Sequence, residues 1–187
     1  MVVLRSANGR KRRSIRDHER GNNEAVVMQI KIFTTGGTID KTYFDKNSDY
    51  HIGEPQVDSI LDKSNVVFDF TVQSILKKDS LDIDDADRQL IHNRVAEDSA
   101  THIIITHGTD SMVQTAKVLE GIADKTIVLT GSMSPALFRD SDAIFNIGGA
   151  VIAVQTLPAG VYIVINGKVF DPQHVKKNVA LKRYETT

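Results

Sequence analysis

The sequence predicts an α/β fold: a three-layer, doubly wound domain with a mostly parallel sheet and an early hairpin loop. Three observations carry this prediction. Short runs of β-branched residues recur along the chain, helical patterns separate these runs, and polar loops of similar composition follow three of them. Continuous apolar strands are typical of parallel sheets that helices cover on both faces.

The predicted strands are short. The first spans 29–33 and ends in the breaker cluster Thr34-Thr35-Gly36-Gly37. Asn166-Gly167 is a hairpin signal between the last two strands. The later strands are predicted at 66–76, 103–105, 127–129, 161–165 and 168–170.

Helical periodicity fills the gaps between these strands. We predict helices at 57–61, 84–98, 111–122 and 142–156. Acidic side chains in the first turn of 84–98 complement the positive end of a helix dipole. Gly148-Gly149 predicts that a neighbouring element approaches the last helix closely. Residues 39–53 are polar and aromatic, which predicts a hairpin or a mobile loop.

Composition excludes several functional classes. The chain has 187 residues, 41% of them hydrophobic, so it can bury the core of one domain. No apolar run approaches the roughly 18 residues that span a bilayer, and we expect no membrane partner. The absence of Cys excludes a disulfide framework and a thiolate nucleophile. Neither a His-Glu-x-x-His motif nor a complete calcium loop is present, so we expect no metal and no cofactor.

Charge is unevenly distributed along the chain. Residues 1–27 carry seven basic and three acidic side chains, whereas the whole chain has a net charge of −1. We predict that 1–27 is a basic flexible extension and that 28–187 is the folded α/β domain. The near-neutral total predicts no nucleic-acid partner. No apolar signal-type segment follows the basic stretch, and we therefore expect a cytoplasmic location.

Polar loops follow three strands, at 34–38, 106–111 and 130–134. In open α/β sheets the site lies beyond the carboxyl ends of the strands, so these loops are expected to share one cleft. Gly36-Gly37 can expose backbone N–H groups to an anion or an oxyanion. Each loop taken alone also fits an ordinary turn or helix cap, and His107 alone fits a hydrogen-bonded structural residue.

Taken in order, the loops carry a stronger signal. Thr-Gly-Gly-Thr-Ile at 35–39, His-Gly-Thr-Asp-Ser at 107–111 and Gly-Ser-Met at 131–133 resemble the amino-terminal domain of the bacterial-type L-asparaginase/glutaminase family. The similarity covers about 28–185. It implies the fold of that domain and an asparaginase-like catalytic domain over 28–187. Family members usually continue into a smaller second domain, so the sequence resembles a short, single-domain form.

The resemblance implies catalytic roles for specific residues. The family's nucleophile falls on Thr38, and its Thr-Asp pair with a partner Lys falls on Thr109, Asp110 and Lys177. The lid Tyr best matches Tyr50, because Asp49-Tyr50-His51-Ile52-Gly53 keeps the Tyr-x-x-Gly spacing. Tyr43 is nearer to Thr38 in sequence and is a rival for this role.

Further residues are implied for substrate binding. Ser80, within Asp79-Ser80-Leu81-Asp82, matches the Ser that holds the substrate α-carboxylate, and Asp110 would also hold the α-ammonium. Leu81 stands where the family often has a polar residue, which predicts a raised Michaelis constant. The N–H groups of Ser132 and Met133, with those near Thr109, are candidate oxyanion donors. The full predicted substrate-binding set is Ser80, Asp79, Gly37, Gly108, Ser132 and Met133.

The resemblance implies an amidohydrolase that converts L-asparagine, or L-glutamine, to the acid and ammonia. Family precedent predicts a homodimer or a homotetramer. Two alternatives stay open from the sequence: an ammonia-donating subunit similar to that of archaeal tRNA amidotransferases, and a non-catalytic module that binds asparagine or aspartate.

Overall fold

The computed structural model describes residues 3–5, 28–43 and 50–187, and at residues 3–5, 43 and 50 the backbone alone. The strands are β1 Val3–Arg5, β2 Gln29–Gly36, β3 Lys41–Tyr43, β4 Tyr50–Ile52, β5 Asp69–Lys78, β6 His102–Thr106, β7 Thr126–Thr130, β8 Gly160–Ile165, β9 Lys168–Phe170, β10 Val175–Asn178 and β11 Arg183–Thr186. The helices are α1 Val57–Lys63, α2 Asp85–Glu97, α3 Met112–Leu119 and α4 Ala143–Thr156.

Seven strands form the main sheet, in the order β1-β5-β2-β6-β7-β8-β9. The five central strands pair in parallel, and β1 and β9 pair antiparallel at the two edges. Ile104 in β6 lies between Ile32 of β2 and Val128 of β7. The mostly parallel sheet is thus confirmed, and the carboxyl ends of its central strands meet at one edge.

Two apolar layers cover this sheet, because alternate side chains of each strand point to opposite faces. Ile104 packs in one buried cluster with α1 and α4. Ile103 and Ile105 belong to a second cluster with α2, α3 and Tyr184 of β11. This arrangement confirms the predicted three-layer fold.

The start of α2 matches the acidic pattern in the sequence. The Asp84 carboxylate accepts the Asp87 N–H at 2.9 Å, and the Asp87 carboxylate accepts the Asp84 N–H at 3.1 Å. This reciprocal capping box satisfies two backbone donors that the first turn leaves free. The local acids thus specify where the helix begins.

The two helices that connect the last parallel strands lie on opposite faces. The connection β6-α3-β7 and the connection β7-α4-β8 both step in the same direction across the sheet. Because α3 and α4 cover different faces, the β6-α3-β7 and β7-α4-β8 crossovers have opposite hands. The crossovers that contain α1 and α2 have the same hand as the crossover that contains α3. Crossovers between parallel strands are almost always right-handed, so the placement of α4 is exceptional.

Two local predictions differ from the structure, and a third agrees with it. β5 begins at Asp69 rather than at residue 66, and Val67 is 95% exposed. Gly148 lies in α4 with nothing within 4 Å of an added Cβ, so the predicted close neighbour is absent there; a Cβ on Gly149 would lie 3.4 Å from Val164. The predicted hairpin of 39–53 contains the antiparallel pair β3 and β4.

The structure describes only part of the predicted basic extension. Residues 3–5 form β1 against β5, whereas residues 6–27 lie outside the described residues, as do 44–49. Among the helices of the described ranges, the longest is α4 with 14 residues, too short to span a bilayer.

Candidate active site

The polar loops of three neighbouring strands converge at one sheet edge. β2 lies between β5 and β6, and β7 follows β6. The register pairs Thr34 with Thr106 and Thr106 with Thr130, so the three strands end level with one another. The loops that follow β2, β6 and β7 are therefore neighbours, as the sequence predicted.

Glycines allow the first two loops to touch. Gly37 has φ of 86°, and a Cβ placed on it would lie 2.4 Å from the backbone N and Cα of Gly108. A Cβ on Gly108 would in turn lie 2.5 Å from the Cβ of Ser80. Only residues without side chains fit these two positions. The contact brings Thr38 and Thr109, the residues that follow each glycine, to the same part of the cleft.

The hairpin β10-β11 brings a lysine to the second loop. Lys177 Nζ donates to Thr109 Oγ1 at 2.8 Å and to Asp110 Oδ1 at 2.7 Å. Thr109 is buried, and the Asp110 side chain is 37% exposed. Since an ammonium group can only donate, the hydroxyl oxygen of Thr109 accepts and its proton stays free to donate elsewhere.

Ser80 connects the loop after β5 to the same cluster. Its Oγ accepts the Asp110 N–H at 3.2 Å, and its carbonyl accepts the Ser111 hydroxyl at 2.5 Å. Ser80 is 2% exposed. With its oxygen already accepting from Asp110, the Ser80 hydroxyl has a proton left to donate.

Asp79 has a structural role in this loop. Its carboxylate accepts the Leu81 N–H at 3.1 Å and pairs with Lys41 of β3 at 2.7 Å. Burial favours a raised pKa for Asp79, but these hydrogen bonds outweigh it and hold the pKa below its usual value. The predicted substrate-binding residue Asp79 therefore joins the hairpin β3-β4 to the Ser80 loop through its own carboxylate. Leu81 itself is 77% exposed.

The third loop lies beside the second, but one of its two predicted backbone donors is already occupied. The Met133 N–H donates to both carboxylate oxygens of Asp142 at 3.0 Å, so it is occupied and does not serve as the predicted oxyanion donor. Ser132 is buried and donates its hydroxyl to the Ser134 carbonyl. Asp142 also accepts from Asn146, which anchors this loop to α4.

The two candidate lid tyrosines lie opposite each other. Tyr43 in β3 pairs with Tyr50 in β4, and the hairpin that carries them directly follows Thr38. Their side chains lie outside the description. Which of them faces Thr38 stays a prediction.

His107 is a structural residue at this edge. It is fully buried, and its Nδ1 donates to the Gly108 carbonyl at 2.7 Å. Nε2 of the neutral ring then accepts from the Thr115 hydroxyl at 2.9 Å. Burial lowers the pKa of His107 to about 4. The ring therefore stays neutral at physiological pH and holds the second loop against α3.

The family model described as "Asparaginase, N-terminal" matches residues 29–184. The chain belongs to the asparaginase family. Its sheet edge and loops correspond to the amino-terminal domain of that family, and the resemblance seen in the sequence is confirmed.

Individual relatives extend this comparison. The chain is 28% identical over 166 residues to "Probable L-asparaginase periplasmic" of Haemophilus influenzae, covering 83% of this chain and 48% of the relative. It is 30% identical over 157 residues to a glutamyl-tRNA(Gln) amidotransferase component of Methanococcus vannielii, covering 78% and 36%. The solved L-asparaginase from Thermococcus kodakarensis superposes with a TM-score of 0.72 at 26% identity, covering 85% and 51%. The chain thus spans about half the length, or less, of these asparaginase-family proteins.

Two residues of this asparaginase-family site were not predicted from the sequence. One is Tyr184 of β11, which donates its hydroxyl to the Thr109 carbonyl at 2.5 Å; burial raises its pKa, so it stays a neutral donor. In the hairpin register it pairs with Lys177. Tyr184 lies between the charged residues Arg183 and Glu185, and in a strand alternate side chains point to opposite faces. This alternation is a sequence signal that could have indicated the burial of Tyr184.

Asp40 is the second such residue. It is 2% exposed, its Oδ1 accepts the Gln56 N–H at 2.9 Å, and its carbonyl accepts the Gly53 N–H at 2.8 Å. These bonds join the turn that carries Thr38 to the far end of the hairpin. Burial raises the pKa of Asp40 to about 7. The hydrogen bond from the Gln56 N–H and the charge of Lys77 lower the pKa, but less than burial raises it, and the charge of Glu54 raises it further. No local pattern distinguishes this Asp from an exposed one.

Metal chemistry has no evident ligand set in this part of the asparaginase domain. Within the described ranges, no group of three or more His, Asp or Glu side chains is placed to hold a metal ion.

Proposed function

We propose that this chain is an amidohydrolase that converts L-asparagine to L-aspartate and ammonia. One observation carries the proposal: Lys177, Thr109 and Asp110 form a hydrogen-bonded cluster at the cleft where the loops of Thr38 and Thr109 touch. Family membership supports the same reaction class. The side-chain amide of L-glutamine is one methylene farther from the α-carbon, and we propose it as a second substrate.

The substrate's α-carboxylate and α-ammonium would bind on the Ser80 side of the cleft. The Ser80 hydroxyl has a proton to donate to a carboxylate, because its oxygen accepts from the Asp110 N–H. Asp110 is partly exposed and has one carboxylate oxygen on Lys177, leaving the other for an ammonium. This placement directs the side-chain amide toward Thr38.

Hydrolysis then proceeds in two steps. The Thr38 oxygen forms a bond to the amide carbon, the C–N bond breaks, and the proton from the Thr38 hydroxyl ends on the departing ammonia. Water next cleaves the ester, which returns a proton to Thr38 and releases L-aspartate. A hydroxyl is a weak nucleophile until a neighbouring group takes its proton, and the lid Tyr, Tyr50 or Tyr43, is the proposed relay. Direct attack by water is the alternative, distinguished by the absence of an acyl-enzyme in rapid-quench mass spectrometry.

Thr109 and Lys177 would complete the same proton transfer. The Thr109 hydroxyl, which accepts from Lys177, gives its proton to the leaving nitrogen and takes one from Lys177. The proton that Thr38 gave up returns Lys177 to its ammonium form, so one proton in all reaches the nitrogen. Such positioned proton transfer contributes about 10²–10⁴ in rate. Asp110 pairs with Lys177 and orients it for this role.

The test is ammonia release from L-asparagine, L-glutamine and a buffer blank, for the wild type, Thr38→Val and Thr109→Val. We expect both variants to lose activity by at least about 100-fold while keeping their circular dichroism spectra. Thr101→Val is the matched control, because Thr101 is exposed and precedes β6 at the opposite edge of the sheet. Near-normal activity in Thr38→Val and Thr109→Val would remove the assignment.

The amidotransferase relative supports one alternative. Under this alternative, which the name of the Methanococcus vannielii relative suggests, the chain would pass its ammonia to a partner protein. Free ammonia from the isolated chain would argue against that alternative. A binding module for asparagine or aspartate would bind either ligand in calorimetry without any ammonia release.

Location and assembly belong to the same proposal. We propose a cytoplasmic protein, although the Haemophilus relative is called periplasmic. We also propose that the chain forms a homo-oligomer, in which the catalytic cleft of each copy is built from the residues described above.

A further inference from the structure

A further turn lies at the sheet edge that carries the three polar loops. β8 runs parallel to β7, and its carboxyl end at Ile165 leads directly into the pair Asn166-Gly167. Asn166 has φ of 54°, in the left-handed region that asparagine tolerates better than most residues. The sequence predicts only a hairpin turn here, but the side chain and the N–H of Asn166 both have partners outside the turn.

The side chain of Asn166 holds β11. Its Oδ1 accepts the Tyr184 N–H at 3.0 Å. Tyr184 is 4% exposed, and its phenol donates to the Thr109 carbonyl. β11 is not part of the main sheet, because it pairs with β10 in a separate two-stranded sheet. Asn166 therefore connects a turn of the main sheet to the strand that reaches Thr109.

The N–H of Asn166 is held by the layer on the other face of the sheet. It donates at 3.0 Å to Oδ1 of Asn146, a 2% exposed residue of α4. Nδ2 of Asn146 donates to the Gly131 carbonyl and to the Asp142 carboxylate, both at 2.9 Å. α4 packs in one apolar layer, and Tyr184 packs in the other. Hydrogen bonds from both layers thus meet at Asn166, at the end of β8.

These bonds form a continuous path between two loops of the cleft. Its members, in order, are Gly131, Asn146, Asn166, Tyr184 and Thr109. Every link joins a side chain to a backbone group, so the path fixes the main chain of the loops after β6 and β7. Loss of one link would let these two loops shift relative to each other, and displacements of about 1 Å can cost a reaction about 100-fold in rate.

We propose that Asn166 is a positioning residue for the reaction in the cleft. It acts through Tyr184 on the peptide that follows Thr109, and through Asn146 on the loop after β7. This inference rests on the proposed function, because the role is to place groups for that reaction. Ser80, on the loop after β5, lies outside the path, so substrate affinity should change less than turnover.

Asn166→Gly removes the side-chain amide and keeps the turn, because glycine adopts positive φ readily. In ammonia-release kinetics we expect kcat to fall about 10-fold and KM to change by less than about 2-fold. Asn166→Asp keeps an oxygen for the Tyr184 N–H and should restore most of kcat. Asn65→Gly is the matched control, because Asn65 is exposed, has φ of 50° and lies between α1 and β5 at the opposite edge of the sheet.

Coupling to Tyr184 separates positioning from a general loss of stability. In a Tyr184→Phe background the bond to Thr109 is already lost, so Asn166→Gly should lower kcat by less than about 3-fold. Independent losses that multiply to about 100-fold would overturn the proposal. Equal kcat values for Asn166→Gly and Asn65→Gly would also overturn it, as would an Asn166→Asp variant no more active than Asn166→Gly.

Amide hydrogen exchange, measured by NMR, gives a readout that does not need activity. Asn166→Gly should speed exchange at the N–H groups of Tyr184 and Asp110, and Asn65→Gly should leave both at the wild-type rate. Unchanged exchange at both amides in Asn166→Gly would overturn the positioning role. A wild type that releases no ammonia, with the expected change in exchange, supports the path and contradicts only the proposed function.

Discussion

Tyr184 and Thr109, which are 75 residues apart, are joined by a hydrogen bond of 2.5 Å from the phenol to the backbone carbonyl. The N–H of the same peptide unit belongs to Asp110 and donates to Ser80 Oγ at 3.2 Å. The plane of this peptide is therefore held from both sides. Its orientation sets where the Thr109 hydroxyl and the Asp110 carboxylate meet Lys177.

Tyr184→Phe should lower turnover more than substrate affinity. The ring and its packing remain, but the buried Thr109 carbonyl loses its donor, which costs about 1–3 kcal/mol in stability. A small tilt of the peptide moves Thr109 relative to Lys177, and we expect kcat to fall about 10-fold with KM changed less. Steady-state ammonia kinetics and thermal melting measure both effects.

Tyr162→Phe is the matched control for this change, because its exposed hydroxyl donates to the Pro158 carbonyl away from the site. Equal losses of kcat in both variants would indicate a general effect on folding and would contradict the positioning role of Tyr184.

Lys177→Met should abolish ammonia release while the neighbouring Lys176→Met should not. Lys177 donates to Thr109 and Asp110, whereas Lys176 is exposed on the other side of β10. We expect kcat of Lys177→Met to fall by about 10²–10⁴. Because Asp110 is partly exposed, unfolding by urea should change little. Comparable activity of the two variants would remove Lys177 from the mechanism.

Asp40→Asn should stabilise the fold at alkaline pH. The folded pKa is about 7 and the ordinary value is 3.8, so the folded carboxyl holds its proton more tightly and stability falls as pH rises from about 4 to 7. Above pH 7 the wild type has lost up to about 4 kcal/mol through this group, at roughly 1.4 kcal/mol for each pH unit of difference. Asn keeps the acceptor for the Gln56 N–H and removes the titration. Urea unfolding should show a gain at pH 8 that exceeds the gain at pH 5 by about 3 kcal/mol, and an equal effect at both pH values would contradict the burial argument.

His107 should make the stability of the fold depend on pH in the opposite direction. Its folded pKa of about 4 lies below the ordinary 6.5, so its stabilising contribution is present above pH 6.5 and is lost as pH falls toward 4. In the wild type the slopes of Asp40 and His107 oppose each other between pH 4 and 6.5. We therefore expect Asp40→Asn to expose a rise in stability over this range, and the double variant with His107→Gln to lack it. A rise that persists in the double variant would assign the dependence to another group.

Local sequence patterns predicted much of the fold. The Ile-rich run at 103–105 and the run at 127–129 became buried parallel strands, since β-branched residues without charge fit a sheet covered on both faces. The order of the three polar loops identified the family and the sheet edge at which they meet. Element boundaries were less accurate, as at the start of β5, where the apolar residues 66–68 precede the strand without joining the sheet ladder.

Contacts between distant segments could not be predicted in this way. The bonds from Lys177 and Tyr184 to Thr109 depend on how the β10-β11 hairpin packs against the loop after β6, which no local periodicity encodes. The burial that makes Asp40 hard to ionise also arises from segments brought together by the fold.

The sequence by itself thus determined the fold class, the family and the chemical character of the cleft, because strand burial and loop composition are local properties. Only the tertiary structure decided which side chains reach Thr109, that the Met133 N–H is occupied by Asp142, and that the glycines of α4 face outward. Those outcomes depend on the relative placement of helices and strands, and a hydrogen bond forms or fails within a few tenths of an ångström of that placement.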